Sequence, residues 1–361
     1  MRFLRTTISC VAAAFLCALP AAGVHAAGLI FPLLPKWSVT LQVPPAFPPA
    51  YDAARAFVAL QNNQLMSVSL ETGKSEWSIE SPTTTAPAAG DSLVFTGGAG
   101  YLQASAQQDG AQRWRTPVDG SVTSLYWDTG WLLATTDRSA LFAIRATDGA
   151  VVWRRDLEAA LHSVPAPDGD RLYLLLNNGV LLALAMQTGD PVWTKPLPKP
   201  GSGVLAVGDR LYIGAQDNIF YCLDAKDGKV VWRWKSGGDI IGTAAIDAKH
   251  VYFVAMDNVL RALDRNSGSM RWQKPLSMRP STGPLLTGWS VLVAGSPAEL
   301  LGYSSEFNGA PLGDPLVLKS ADNQEMQLAS PPYLMTDATL VLITKGGLMQ
   351  ALIGSPAPYG P

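Results

Sequence analysis

The chain has 361 residues, with 27 lysines and arginines against 29 aspartates and glutamates, and a formal net charge of −2 at pH 7. This balance lacks the basic surplus of nucleic-acid-binding domains, so the sequence gives no indication of a nucleic-acid partner. Hydrophobic residues make up 48% of the chain, enough for a large folded core, and three residues are cysteines.

The first 26 residues have the features of a secretory signal peptide. Arg2 and Arg5 precede an apolar run from Ile8 to Leu19, and the segment Val24-His25-Ala26 offers a small-residue cleavage site. The run is shorter than the roughly 20 residues that span a bilayer. We therefore expect residues 1–26 to be removed and a chain without a transmembrane segment to be exported. An uncleaved membrane anchor is the alternative.

Two of the three cysteines, Cys10 and Cys17, lie within the predicted signal peptide. Neither has the sequence context that lipoprotein processing requires, so we predict no lipid anchor. Cys222 is the cysteine that remains, and no disulfide bond can form within one mature chain. We expect it to be a buried, unreactive thiol, with a reactive thiol as the alternative.

Tryptophans recur along the chain at intervals of 37 to 40 residues. A period of this length is the signature of a repeat architecture. Most of these tryptophans follow a glycine by four residues and a small residue by ten. The recurring tryptophans are Trp37, Trp77, Trp114, Trp153, Trp193, Trp232 and Trp272, and the matching glycines are Gly73, Gly110, Gly149, Gly189, Gly228 and Gly268.

Each repeat unit has the pattern of four short β-strands. Aromatic and β-branched runs such as Leu211–Gly214 and Val251–Val254 precede the small residue, and such runs favour strands. Asp-Gly or Thr-Gly turns then lead to the tryptophan, because glycine adopts the positive φ of tight turns. An earlier Gly-Asp turn, such as Gly208-Asp209, separates two further runs. Four short strands per unit are typical of a propeller blade.

We therefore predict an all-β fold, an eight-bladed β-propeller of four-stranded blades. The small residue would leave room for the tryptophan to fill the seam between blades. Trp37 has no hairpin before it, and Ala351 has no tryptophan strand after it. We predict that the N-terminal strand around Trp37–Leu41 closes the ring by completing the blade of residues 327–353.

The unbroken period predicts one propeller domain over residues 27–354, followed by a flexible tail, residues 355–361. One copy is degenerate, with Tyr303 at the small-residue position and Gly313 where a tryptophan would stand.

The repeat pattern contains no motif for a catalytic, cofactor-binding or metal-ligating residue. His162 and His250 are the histidines outside the predicted signal peptide, and they are too few and too far apart for a metal-site signature. The glycine-rich segment Gly97–Gly100 lies between predicted strands, whereas a phosphate-binding loop precedes a helix. Asp224 and Asp227 lack the other acids of a calcium loop. We expect no enzymatic activity, no cofactor and no metal.

The unit from Cys222 to Trp232 resembles the repeat of the pyrroloquinoline-quinone (PQQ) propellers, and the resemblance extends over residues 37–353. One branch of that family, the quinoprotein dehydrogenases, holds its quinone over a vicinal disulfide and beside calcium, with an aspartate base. This chain has no adjacent cysteine pair and lacks the long insertions of those enzymes. A small quinoprotein dehydrogenase or another propeller enzyme stays an alternative.

The second branch is the BamB-like group of compact envelope propellers. Its members are non-enzymatic scaffolds that assist the assembly of outer-membrane β-barrels by binding the central assembly protein. The resemblance implies a monomeric periplasmic scaffold, peripheral at the outer membrane, whose partner belongs to the outer-membrane β-barrel assembly machinery. The missing lipoprotein cysteine is a departure from the group. A carbohydrate- or peptidoglycan-binding propeller is the second alternative.

Binding energy in such a scaffold would come from loops at blade ends. The segment Ser236–Ile241 is a candidate, because Asp239, Ile240 and Ile241 follow a flexible polar stretch. The alternative is that the two isoleucines begin the inner strand of the next blade.

Overall fold

The computed structural model describes residues 29, 31–320 and 324–354, and it assigns β-strands and turns but no helix to them. The predicted signal peptide, residues 1–26, and the predicted tail, residues 355–361, lie outside the described residues.

The described residues form 31 strands. The first fifteen are β1 (Leu33–Thr40), β2 (Ala50–Tyr51), β3 (Arg55–Ala59), β4 (Gln64–Ser69), β5 (Ser75–Glu80), β6 (Ala88–Gly90), β7 (Leu93–Ala106), β8 (Gln112–Asp128), β9 (Trp131–Thr136), β10 (Ala140–Arg145), β11 (Val151–Asp156), β12 (Ala166–Asp168), β13 (Arg171–Leu175), β14 (Val180–Ala185) and β15 (Pro191–Pro196). The others are β16 (Leu205–Val207), β17 (Arg210–Gly214), β18 (Ile219–Asp224), β19 (Val230–Lys235), β20 (Ile240–Ile246), β21 (His250–Ala255), β22 (Val259–Asp264), β23 (Met270–Pro275), β24 (Arg279–Pro280), β25 (Leu285–Thr287), β26 (Ser290–Ser296), β27 (Glu299–Ser304), β28 (Leu316–Val317), β29 (Tyr333–Leu334), β30 (Leu340–Ile343) and β31 (Leu348–Gly354).

Hydrogen bonding joins these strands into seven sheets, which are the blades of a β-propeller. Five blades have four strands each: β2–β5, β12–β15, β16–β19, β20–β23, and β29–β31 with β1. The strands β24–β28 form a five-stranded blade and β6–β11 a six-stranded one. The fold is therefore an all-β propeller built largely from four-stranded blades, but the predicted count of eight separate blades is wrong.

The six-stranded blade explains the difference in blade count. Strand β8 pairs with β7 through Gln112–Pro117 and with β9 through Val122–Asp128. Ser121 still pairs with Ala99 of β7, and Val122 already pairs with Thr136 of β9, so β8 passes from one pairing to the other as a single strand. Two repeat units, those of Trp114 and Trp153, consequently share one sheet.

The ring closes where we predicted. Strand β1 pairs antiparallel with β31, with Trp37 opposite Ala351 and Thr40 opposite Leu348. The last blade therefore takes three strands from the C-terminal part of the chain and its outer strand from the N-terminal part.

In seven units the small residue lies directly opposite a tryptophan on the neighbouring strand. In the best-preserved unit Cys222 pairs with Trp232, and in the following unit Ala262 pairs with Trp272. These small residues are fully buried, so a larger side chain would displace the indole. The residues that face a tryptophan in this way are Ser67, Ala104, Ala143, Ala183, Cys222, Ala262 and Ala351.

Each indole also packs on the turn glycine of the next unit. A Cβ atom at Gly268 would lie 2.6 Å from the Cδ2 atom of Trp232, so only glycine fits beneath the ring. The φ of Gly268 is +70°, which glycine also tolerates better than other residues. The sequence indicated the turn requirement but not the close approach. The pairs are Trp37–Gly73, Trp77–Gly110, Trp114–Gly149, Trp153–Gly189, Trp193–Gly228, Trp232–Gly268 and Trp272–Gly309.

A hydrogen bond completes six of these seams. The indole Nε1 of Trp232 donates to the backbone carbonyl of Arg265, 3.1 Å away, in the same turn that carries Gly268. Five other tryptophans do the same: Trp37 to Leu70, Trp77 to Gln107, Trp114 to Ala146, Trp153 to Met186 and Trp193 to Ala225.

The Trp272 seam departs from this pattern because the facing turn is one residue longer. Gly309 donates its backbone N–H to the carbonyl of Ser304, five residues back, whereas Gly268 donates to Asp264, four residues back. The Nε1 of Trp272 is buried and has no hydrogen-bond partner among the described residues.

Among the residues that the structure describes, no tryptophan fills the seam between the last two blades. No turn connects β31 to β1, because these strands come from opposite ends of the chain, so no turn glycine is available to receive an indole. Gly313 stands at the tryptophan position, and Phe31 fills the space: a Cβ at Gly313 would lie 2.7 Å from the Cβ of Phe31. Phe31 is 6% exposed. We call this the closing seam.

Candidate partner-binding surface

The connections between strands lie on two faces of the ring. On one face, the long connections between repeat units bond to hairpin tips, as when Ser236 donates its backbone N–H to the carbonyl of Asn218. We call this the loop face. On the other face lie the glycine-containing turns, as when Arg265 donates to the carbonyl of Lys249. We call this the turn face.

The candidate segment Ser236–Ile241 lies on the loop face, but its three singled-out residues differ in accessibility. Ile240 begins β20, is 1% exposed, and packs against the core around Tyr212 and Phe253. Ile241 is half-buried against the next core cluster. Asp239 is half-buried, and its backbone carbonyl accepts the N–H of Met256 at 2.8 Å. Ile240 is therefore a core residue. Of the three candidates, Asp239 is the one whose side chain is polar and partly exposed at the loop.

A buried ion pair supports this loop from below. Arg261 is 5% exposed, and its Nη1 donates to Oδ1 of Asp257 at 2.9 Å. The other carboxylate oxygen, Oδ2, accepts the backbone N–H of Gly237 at 3.0 Å. The guanidinium also lies over the ring of Trp234, with 5.2 Å to the ring centroid. The pair therefore connects the loop to the rigid strand β22.

Electrostatics keeps this support charged. Burial acts to raise the pKa of Asp257, but the hydrogen bonds and charge of Arg261 outweigh burial and hold that pKa below its usual value. The preceding unit has a related arrangement, in which the Tyr221 hydroxyl donates to Oδ2 of Asp217 at 2.6 Å. An acid followed four residues later by a donor is thus a sequence signal for this support, and we did not recognise it in the sequence.

The loop borders a cavity of about 660 Å³ at the loop-face end of the inner strands. Its lining is small, hydroxylated or apolar, and Lys345 supplies its charge. Representative lining residues are Gly242, Thr243, Thr282, Gly283, Ser330 and Lys345.

A second repeat signal appears at this end of the ring. Six units carry a serine or threonine at one equivalent position near the start of the inner strand. In the unit of Trp232 it is Ser202, three residues before Leu205, which pairs with Tyr212 of the second strand. Most of these hydroxyls donate to the carbonyl of the following residue, as Ser202 does to Gly203 at 2.9 Å. They therefore fix the start of the inner strand and are already bonded within the chain. The six are Thr85, Thr123, Ser163, Ser202, Thr282 and Ser330.

Cys222 and His162, two side chains with reactive potential that the sequence singled out, lie in separate units of the ring. Cys222 is fully buried, and burial raises the pKa of its thiol to about 12. The Nδ1 of His162 lies 3.2 Å from the Oδ1 of Asn177. Within residues 29, 31–320 and 324–354, no group of three or more histidine, cysteine, aspartate or glutamate side chains is placed to hold a metal ion. The same residues contain no helix long and apolar enough to cross a membrane.

The repeated contact between the tryptophan of one unit and the turn glycine of the next defines this chain as a repeat propeller of the PQQ-like class. Three overlapping stretches, residues 35–121, 98–199 and 177–349, match the sequence profile of the family described as outer membrane protein assembly factor BamB. The matches span well over half of the chain, and the chain belongs to this family.

Individual relatives are distant. A BamB of Burkholderia pseudomallei is 23% identical over 277 residues, which are 72% of this chain and 70% of that protein. A BamB of Xanthomonas campestris pv. campestris is 24% identical over 338 residues, or 83% and 80% of the two chains. The match to BamB of Yersinia pestis, 24% identical over 151 residues, spans only 38% of that protein's length.

Solved structures agree on the fold. The crystal structure of BamB from Moraxella catarrhalis superposes with a TM-score of 0.72 and 18% identity, covering 89% of this chain and 99% of that one. The C-terminal WD40 domain of Sif2 also reaches 0.72, at 11% identity, over 91% of this chain and 100% of that one. Such similarity indicates a shared propeller architecture and carries no functional information by itself.

Proposed function

We propose that this protein is a non-enzymatic scaffold of the bacterial envelope that assists the assembly of outer-membrane β-barrels. The observation that carries the proposal is the family match, which extends through residues 35–349 and so includes nearly the whole ring. The partners would be protein components of the β-barrel assembly machinery. We propose that the protein works as a periplasmic monomer, peripheral at the outer membrane and without a lipid anchor.

The geometry favours a scaffold over a catalyst. Tryptophan seams join neighbouring units, which makes a rigid ring whose loops carry recognition. We place a partner contact on the loop face around Asp239, where the Asp257–Arg261 pair holds the loop in one conformation. A preordered loop loses less entropy on binding. Ile241 would contribute its half-buried side chain at the edge of this contact.

Deletion of the gene tests the scaffold role directly. We expect lower levels of outer-membrane β-barrel proteins and greater sensitivity to detergents, both restored by the wild-type gene. Unchanged barrel levels, together with loss of an enzymatic activity from the envelope fraction, would instead favour the quinoprotein or other enzyme alternative.

A point variant tests the loop. Asp239→Lys should reduce capture of the assembly machinery by roughly tenfold or more if the residue is a binding hot spot, with no change in melting temperature. The matched control is Asp209→Lys, because Asp209 lies in an exposed position on the turn face. Equal capture by both variants would remove Asp239 from the contact while leaving the deletion experiment to decide the function.

A further inference from the structure

The turn face carries a cavity of about 820 Å³ at the Trp272 seam. It lies between the turn that joins β20 to β21 in one unit and, in the next unit, the turn that joins β25 to β26 and the turn that follows β27. Its wall combines two carboxylates, an ammonium group, an imidazole, a hydroxyl and an indole. These belong to Asp247, Lys249, His250, Trp289, Ser305 and Glu306.

Comparison with the Trp232 seam shows what is unusual here. There the Tyr212 hydroxyl and the Trp232 indole both donate to the carbonyl of Arg265, at 3.2 and 3.1 Å. At the Trp272 seam, Tyr252 donates to the carboxylate of Asp247 at 2.5 Å. The facing turn at this seam is one residue longer, and the acceptor of the tyrosine hydroxyl is a charged side chain in place of a turn carbonyl.

The hydrogen bonds of Asp247 fix the positions of the polar groups on this side of the cavity. The Oδ1 of Asp247 accepts the backbone N–H groups of Lys249 and His250, both at 2.6 Å. Its Oδ2 lies 3.3 Å from the Nδ1 of His250. Carboxylate and imidazole are thus held in place before any ligand binds, which lowers the entropic cost of binding.

The aromatic wall is anchored as well. The backbone carbonyl of Trp289 accepts both the N–H of Ser305 at 2.8 Å and its hydroxyl at 3.0 Å. Trp289 is half-buried, so part of its surface is available at the cavity. Its backbone position is tied to the turn that carries Glu306.

We propose that this cavity binds a short saccharide. Sugar hydroxyls both donate and accept hydrogen bonds, which suits a wall that mixes carboxylates with an ammonium group and an imidazole. The indole supplies an apolar surface for the C–H face of a pyranose ring. Two carboxylates disfavour an anion, and Lys249 disfavours a cation. The volume lies within the roughly 300–1,000 Å³ of small-molecule sites.

The site is separate from the proposed protein contact. It opens on the turn face, whereas the Asp239 loop lies on the loop face at the other ends of the strands. A saccharide and a protein partner could therefore be bound together, and failure of one proposal leaves the other standing.

Isothermal titration with two defined probes tests the proposal on the purified protein. The probes are chitotetraose, built from N-acetylhexosamine, and maltotetraose, built from plain glucose, each taken to about 10 mM, a range that detects millimolar dissociation constants. We expect saturable binding of at least one probe and a roughly tenfold or greater loss in Trp289→Ala. Which probe binds identifies the type of sugar.

Trp131→Ala is the matched control, because Trp131 lines a smaller groove of about 410 Å³ on the same face. It should leave binding unchanged. If Trp289→Ala disturbs folding, Glu306→Gln carries the test, since that side chain is exposed. No saturable binding of either probe, or binding unaffected by both Trp289→Ala and Glu306→Gln, would overturn the saccharide site.

Discussion

The Trp232 seam and the closing seam solve the same packing problem with different parts of the chain. At the Trp232 seam, indole, small residue and glycine come from consecutive repeat units. At the closing seam, Phe31 reaches its place from the other end of the sequence, and the Ser290 hydroxyl holds the carbonyl of neighbouring Leu29 at 3.0 Å. A repeat can specify its internal contacts by repetition, but the contact that closes the ring needs residues outside the repeat.

The largest expected effect comes from breaking the closure. Deletion of Lys36–Leu41 removes most of β1 and leaves the edge of β31 unpaired. Unpaired edges invite association between chains, so we expect aggregation or a large loss of thermal stability, measured by light scattering and calorimetry. A monomeric deletion variant with the wild-type melting temperature would show that β1 is dispensable for the ring.

Next comes removal of an indole from a regular seam. Trp232 is 9% exposed, and Trp232→Ala should lower the free energy of unfolding by about 3–5 kcal/mol, as for other buried aromatic residues. Chemical denaturation measures the loss. Phe307, which is 70% exposed, is the control, and Phe307→Ala should have little effect. Equal midpoints for the two variants would contradict the role of the indole in the seam.

The glycine beneath the indole gives a smaller effect. Gly268→Ala combines a positive φ with a methyl group pressed against Trp232, and we expect a loss of about 2–4 kcal/mol. Gly169 has a φ of +60°, but a Cβ at that position would meet no other atom within 4 Å. Gly169→Ala should therefore cost about 1–2 kcal/mol, the backbone contribution alone. Denaturation curves that coincide would mean that the close approach is unimportant.

The Trp232 and Trp272 seams differ in the hydrogen bond of the indole Nε1. Trp232→Phe removes a bond to Arg265, whereas Trp272 has no such bond to lose among the described residues. We therefore expect Trp232→Phe to be more destabilising than Trp272→Phe by about 0.5–1.5 kcal/mol. A larger loss in Trp272→Phe would reverse the order and imply an acceptor for that indole.

The smallest expected effect concerns the closing seam. Ser290 is fully buried and donates its hydroxyl to Leu29. Ser290→Ala should cost about 1 kcal/mol, because it leaves that carbonyl without its partner. Ser78→Ala, which alters an exposed hydroxyl, serves as the control in the same thermal denaturation series. If the two variants melt together, the Leu29 contact adds nothing to closure.

The repeat made much of the fold predictable. The positions of Trp232, Cys222 and Gly228 indicated strand pairing and turns, and the unmatched Trp37 indicated closure. The blade count failed because β8 continues without a break from its pairing with β7 at Ser121 into its pairing with β9 at Val122, and the period does not encode that local backbone geometry. The role of Phe31 in the closing seam was not predicted, because no equivalent residue recurs in the other units and a repeat pattern reveals only residues that recur.

The candidate loop was located more easily than it was interpreted. Gly237 and Gly238 marked a connection, but the apolar character of Ile240 fits a binding surface and a core equally well. Only the tertiary fold, which places Ile240 beside Phe253, separates the two. The support by Asp257 and Arg261 depends on a contact across twenty residues of sequence, and the repeat pattern did not indicate it.

The pairing of β1 with β31 also sets an order of events during synthesis. The bond from Gln350 to Ser38 joins residues 312 positions apart, and closing a loop of that length costs about 5 kcal/mol in chain entropy. Residues near the N-terminus emerge first, yet their partners are among the last to be made. Strand β1 therefore has no partner strand until residues 348–354 have been synthesised, and the ring acquires its closed form in a late step.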